Sequence, residues 1–280
     1  MRVLVTGWPS FVHGEATAGD VLSMRRVSHA LSEAEIPWRS AWSPVFRPGE
    51  LTLEDADPAE FTHLVFACGP AHGSQVRSLH RKFAACRRIA IGVSVIDDED
   101  PAVTGFHHVL ARDGGLSSTV DLSATAALTE MPVTGVILAP GQSEYGDRRR
   151  RDQVHHTMTR WLKDKDCAPV PLDTRLDSTD WRHCGTPDQF VAILRRLDLV
   201  VSTRLHGLVL GLRAGKPVLA VDPVASGGKV SAQAAVWGWP ALLTPDELCG
   251  PGGRASFEHW WDWCLSAQGA RRARTCGEDA

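Results

Sequence analysis

Short apolar runs alternate with amphipathic stretches along almost the whole chain. Val3–Thr6 precedes a helical stretch over 20–35, in which Val21, Met24, Val27, Leu31 and Ala34 recur at helical spacing. His63–Cys68 reads as a buried strand, 74–86 as a helix, Arg88–Val95 as a strand and 107–111 as a shorter one. The pattern restarts with a strand over Thr134–Ala139, a helix over 151–163 and a strand over 168–172. Thr186-Pro187 opens a helix to about Leu197, with Pro at its first position. A strand over Asp198–Thr203, a helix over 204–214 ended by Gly215, and a strand over 217–221 complete the series. Strands separated by helices make parallel sheets with crossover helices. The expected fold is α/β: two Rossmann-like domains, 1–130 and 131–268, facing across a cleft, with 269–280 as a disordered tail. Phe257, Trp260, Trp261 and Cys264 form an apolar stripe at helical spacing, read as a terminal helix packing on the body.

At 280 residues the chain buries a large core without disulfide or metal staples. Thirty basic against 33 acidic residues give a net charge of −3, so no global field holds nucleic acid or an anionic membrane. An anion must therefore be bound locally. The longest apolar stretch, Leu197–Ala220, is interrupted by Arg204, Arg213 and Lys216, so no transmembrane segment is expected. The seven cysteines are scattered without a CxxC pair and read as reduced thiols of a cytoplasmic protein. No metal site is expected: the pairs His107-His108 and His155-His156 lack a ligand-spaced partner and read as surface histidines. The first strand runs into Gly7-Trp8-Pro9-Ser10-Phe11, with bulk where a dinucleotide needs glycine, and neither Gly215-Lys216 nor Gly228-Lys229 completes a phosphate-binding loop.

The informative stretch is Asp198–Lys229. A buried strand ends at Ser202-Thr203 and a helix starts at once with Arg204-Leu205-His206. Ligands of open α/β sheets bind beyond the carboxyl ends of strands, where unpaired N–H groups and the helix dipole favour anions. Arg204 adds a planar fork suited to carboxylate or phosphate, and Lys229 follows the next strand as a second cation. His206 lies within reach of the same anion. The competing reading has Arg204 capping local carbonyls and His206 held inside the helix–sheet layer.

Ser202-Thr203-Arg204-Leu205-His206, Gly215-Lys216-Pro217, Val218–Val221 and Lys229 together resemble the polysaccharide pyruvyl transferase family. Weaker echoes are Gly19-Asp20, Phe66–Pro70, Gly92-Val93-Ser94 and Ala111-Arg112-Asp113. The resemblance implies a glycosyltransferase-B-like pair of domains and transfer of a pyruvyl group from phosphoenolpyruvate to a sugar or glycan-precursor hydroxyl pair, with no cofactor beyond that donor. By the same resemblance Arg204 and the Leu205 backbone bind the donor, His206 is the acid/base, and Arg112 and Lys229 serve the second anionic group. The domain over 1–130 is the expected acceptor side and that over 131–268 the one with the donor or anion site, and Asp20 is a candidate acceptor-side base or a helix cap. The alternatives are a glycosyltransferase using a nucleotide sugar and a non-catalytic glycan- or anion-binding protein, since a fold does not choose a donor. Arg148–Arg151 reads as a solvated helix start or as a patch for a diphosphate-linked acceptor.

Overall fold

Two five-stranded sheets, every pairing parallel, account for the alternation. The computed structural model describes residues 1–115, 118–138 and 143–278, and the chain divides into compact units of residues 1–129 and 130–280. In the first unit, β1 (Val3–Thr6) leads through α1 (Ala18–Glu33) to β2 (Trp38–Ser40). β3 (His63–Ala67), α2 (Gly73–Lys82), β4 (Arg87–Ser94), α3 (Pro101–Thr104) and β5 (His108–Asp113) follow, in sheet order β2-β1-β3-β4-β5. Alternate residues serve opposite faces, as a pleated strand requires. Val3, Val5, Val65 and Ala67 pack with Met24 and Val27 of α1, while Leu4, Leu64 and Phe66 pack with Val76 and Leu79 of α2.

The second unit runs β6 (Val133–Ile137), α4 (Arg151–Lys163), β7 (Ala168–Pro171), α5 (Pro187–Leu194), β8 (Leu199–Ser202), α6 (Leu205–Arg213) and β9 (Val218–Val221). It continues with α7 (Lys229–Val236), β10 (Leu242–Leu243), α8 (Pro245–Cys249), α9 (Gly253–Leu265) and α10 (Ala267–Glu278), in sheet order β10-β9-β8-β6-β7. Ala139, assigned by the sequence to the strand that became β6, lies outside the described residues. Thr186 and Gln189 form a reciprocal capping box at the start of α5, the local reason that helix begins at Pro187. α9 buries Phe257, Trp261 and Cys264, three of the four stripe residues. These are two Rossmann-like α/β units in tandem, the glycosyltransferase-B-like class.

The sequence reading of 269–280 as a disordered tail needs correction up to Glu278; the last two residues lie outside the described ones. Here α10 buries Gly269, Ala273 and Cys276, and Arg272 donates to the carbonyl oxygens of Trp237 and Gly238 at 2.8 and 3.1 Å. A Cβ on Gly277 would stand 3.1 Å from the Leu212 carbonyl oxygen, so small residues let this charged segment dock on the end of α6. Among the described residues, no helix is long and apolar enough to cross a membrane.

Candidate functional site

Each sheet reverses its strand order once: between β1 and β3 in the first unit, and between β6 and β8 in the second. Such switch points leave a crevice outside the carboxyl ends of the strands. In the first unit that crevice is filled. Trp8 donates its indole N–H to the Pro70 carbonyl at 3.2 Å and packs against Gly69, whose added Cβ would fall 2.0 Å from the indole ring.

In the second unit the crevice is headed by α6. Ser202 Oγ accepts from the Arg204 N–H at 3.0 Å and donates to the Arg204 carbonyl at 3.1 Å, a tight turn that ends the strand and starts the helix. Arg204 is the N-cap residue, and among the described residues no side chain caps α6. Its first turn carries no acidic residue, so no side chain of that turn offsets the partial positive charge of its leading N–H groups. The Arg204 guanidinium is half-buried and donates to Thr174 Oγ1 at 3.2 Å. Leu205 supplies a first-turn backbone N–H, and His206 projects from the same turn as an exposed side chain. Gly207 makes this geometry possible: a Cβ there would sit 2.1 Å from Ser202 Oγ.

Lys229 opens α7, beyond the carboxyl end of the neighbouring strand β9. The turn before it is held by Asp222, whose wholly buried carboxylate accepts from the N–H groups of Val224, Gly228 and Ser231. Arg148–Arg151 joins the same edge. Arg149 pairs with Val224 in an antiparallel bridge, the Arg150 N–H donates to the Pro223 carbonyl at 2.8 Å, and the Ala225 N–H donates to the Arg148 carbonyl at 2.8 Å. Nε of Arg151 is buried without a hydrogen-bond partner, 3.6 Å from an Asp152 oxygen. The sequence reading of His155 as a surface histidine is corrected. It is half-buried, its Nε2 lies 3.3 Å from Thr203 Oγ1, and burial, then the nearby Arg151 charge, push its imidazole below the usual range. Arg148–Arg151, His155, Arg204, His206 and Lys229 thus gather at one edge of one sheet.

Arg112 and Asp20 belong to the other unit. The Arg112 guanidinium donates to Asp113 Oδ2 at 2.7 Å, Asp121 Oδ2 at 2.5 Å and Ser94 Oγ at 2.7 Å, and these carboxylates raise its already high pKa. Asp20 is the third residue of α1. Thr17, the N-cap, accepts from its N–H at 3.2 Å and donates its hydroxyl to the Asp20 carboxylate at 2.6 Å, so Asp20 is the far half of a cap rather than the cap itself. Both lie near Cys68, which has φ +64 and a thiol that burial pushes up.

The polysaccharide pyruvyl transferase family model matches residues 159–223, a span containing β8, α6 and β9. No curated protein matches. Among solved structures, the chain is similar to spinosyn rhamnosyltransferase SpnG complexed with thymidine diphosphate, at 12% identity over 100% of this chain and 96% of that one, with TM-score 0.36. It is also similar to E. coli heptosyltransferase WaaC with ADP, at 13% identity over 98% and 100% of the two chains, with TM-score 0.28. Both are named as sugar transferases and described with a nucleoside diphosphate.

The expectation of pyruvyl transfer is corrected: the family match covers residues 159–223 alone, and the solved structures matched over the whole chain are named as sugar transferases. The family match covers the strand–helix–strand frame around Arg204, which favours an anion without selecting a donor. Arg112, expected at the donor's second anionic group, is already engaged by two carboxylates. Pyruvyl transfer, phosphoenolpyruvate as donor and partner, and the enzyme class built on them are withdrawn.

Proposed function

We propose that the chain is a glycosyltransferase that takes its sugar from a nucleoside diphosphate, bound at the carboxyl edge of the second sheet. The observation that carries this reading is the α6 amino terminus, uncapped by any described side chain and flanked by Arg204 and the Arg148–Arg151 segment. A diphosphate spreads two to three negative charges over several oxygens, more than one helix terminus neutralises. Five arginines and Lys229 at one edge of a chain with net charge −3 match that load.

In the reaction, a hydroxyl oxygen of the acceptor forms a bond to the anomeric carbon of the sugar. The bond from that carbon to the phosphate oxygen breaks, and its electron pair leaves with the diphosphate. Charge therefore builds on the departing phosphate, where Arg204 and the N–H groups of Leu205 and its neighbours stabilise it without reorganising. The acceptor hydroxyl gives up its proton as the new bond forms, and the His206 imidazole relays that proton to the departing diphosphate. We place the activity in the cytoplasm, which the seven free cysteines favour.

Calorimetric titration with uridine, thymidine, adenosine and guanosine diphosphates, alongside inorganic phosphate and phosphoenolpyruvate, tests the reading. One or more nucleoside diphosphates should bind, and Arg204→Ala should weaken them. Binding of phosphoenolpyruvate alone, lost in the same variant, would sink the proposal.

A further inference from the structure

The connection from β2 to β3 has to cross the face of the first sheet that carries Leu4, Leu64 and Phe66, a task parallel sheets usually give to a helix. Here it cannot. Residues 41–62 hold Pro44, Pro48 and Pro58 as well as Gly49 at φ +87, and a short 3-10 turn at Pro58–Glu60 is its sole helical element. The irregular segment and α2 leave between them a cavity of about 800 Å3.

The floor of this cavity is Phe11, Leu79 and Phe83, all buried, and Leu53 packs on the same core from the connection side. Val12, which is 55% exposed, stands on its wall. Phe11 and Val12 follow the carboxyl end of β1, and Ser74 and Gln75 follow that of β3, so one end of the cavity reaches the carboxyl edge of the sheet. Its volume falls within the range of about 300–1,000 Å3 typical of sites for drug-sized ligands, and such sites are mostly apolar with a few placed polar groups.

Charge narrows the ligand further. The lining ammonium, Lys82, donates to the carbonyl oxygens of Leu53 and Glu54, both at 2.6 Å, and so ties the connection to α2. Glu54 and Asp55 add two carboxylates to the wall, the second accepting a hydroxyl hydrogen bond from Thr52 at 2.7 Å. His13 adds an imidazole at the mouth. An anion entering here meets two carboxylates and an ammonium already held by carbonyls.

We infer that the first unit binds a small molecule with an apolar body and no negative charge, in the cavity between residues 41–62 and α2. Binding stands apart from the donor proposed for the second unit; that the molecule is the glycosyl acceptor rests on that reading.

N-phenyl-1-naphthylamine, a neutral apolar fluorophore, is the probe, used with the full chain at pH 8. Its fluorescence should rise to saturation at one molecule per chain. Decylamine should displace it at least tenfold more effectively than decanoate. Ser78→Trp places an indole in the cavity from an exposed position on α2, and should weaken the probe at least tenfold with the melting temperature unchanged. Non-saturating fluorescence, or equal binding in a folded Ser78→Trp variant, overturns the site. Equal displacement by decanoate overturns the charge assignment. Nucleoside diphosphate binding, measured in the same variant, should be untouched, which separates a failure here from a failure of the donor reading.

Discussion

The buried carboxylate of Asp222 accepts both the backbone N–H and the hydroxyl of Ser231, at 2.9 and 2.7 Å. With the Gly228 N–H at 2.7 Å, it satisfies the first turn of α7 from outside that helix. α6, one strand away in the sheet, has no such cap among the described residues. One helix terminus is therefore met by the protein's own carboxylate, while no described side chain caps its neighbour. This contrast, more than the presence of either helix, supports the proposed placement of the diphosphate at α6.

Removing that carboxylate should unfasten the Val224–Lys229 turn. Asp222→Ala leaves several buried N–H groups unsatisfied and should cost about 2–3 kcal/mol. At roughly 2–4 °C per kcal/mol for a unit of this size, scanning calorimetry should show the melting temperature fall by about 4–12 °C. A fall under 2 °C would mean that the turn is held by other contacts.

Gly207→Ala should force α6 away from β8, because the new methyl group would sit 2.1 Å from Ser202 Oγ and 2.9 Å from its Cβ. Overpacking of this kind costs about 1–3 kcal/mol. Ser202→Gly added to Gly207→Ala removes both clashing atoms and should restore part of the loss. Urea unfolding of the two variants checks it, and a double variant less stable than Gly207→Ala alone would contradict the explanation.

The elements legible in the sequence are those whose signal is local. β8 is four consecutive buried residues, and α5 has its own capping box. β2 carries no such signal, because Trp38 and Arg39 are exposed at the sheet edge and leave no apolar run to read. α7 has no local start signal, because the carboxylate that holds its first turn, Asp222, sits seven residues before its first residue. Arg204 announced itself through its place between strand and helix. His155 did not, since its neighbour Thr203 is 48 residues away. Nor could sequence show that two carboxylates hold Arg112, one of them on Asp121, nine residues on.

Acid should test that last network. Burial pushes the Asp121 carboxyl up, but hydrogen bonds from Ser123 and Arg112 outweigh it and hold the group at about 2. A carboxyl depressed in the folded state adds stability above its unfolded value of about 3.9, and loses it as pH falls through the folded value. Asp121 is partly exposed, so solvent screening reduces the contribution to about 1–2 kcal/mol. Wild-type stability should drop by that amount between about pH 4.5 and pH 2 relative to Asp121→Asn, which lacks the titrating group. Parallel pH profiles for the two proteins in denaturant unfolding would refute the assignment.

Salt should separate the two kinds of cation at the second sheet's edge. Arg204 is half-buried and its fork is steadied by Thr174, whereas Arg149 is exposed. A charge-assisted hydrogen bond from a positioned guanidinium contributes about 1.5–3 kcal/mol, so Arg204→Ala should weaken a nucleoside diphosphate by about 10–150-fold. Arg204→Lys restores the charge without the planar fork and should recover only part of that. Arg149→Glu acts through solvent, where the screening length falls from about 10 Å at 0.1 M salt to about 3 Å at 1 M. Its penalty should therefore be clear at low salt and almost vanish at 1 M, while the Arg204→Ala penalty persists. Calorimetric titrations at both ionic strengths distinguish them. If the Arg204→Ala penalty also vanishes at 1 M, Arg204 is part of a diffuse basic field and does not touch the phosphate.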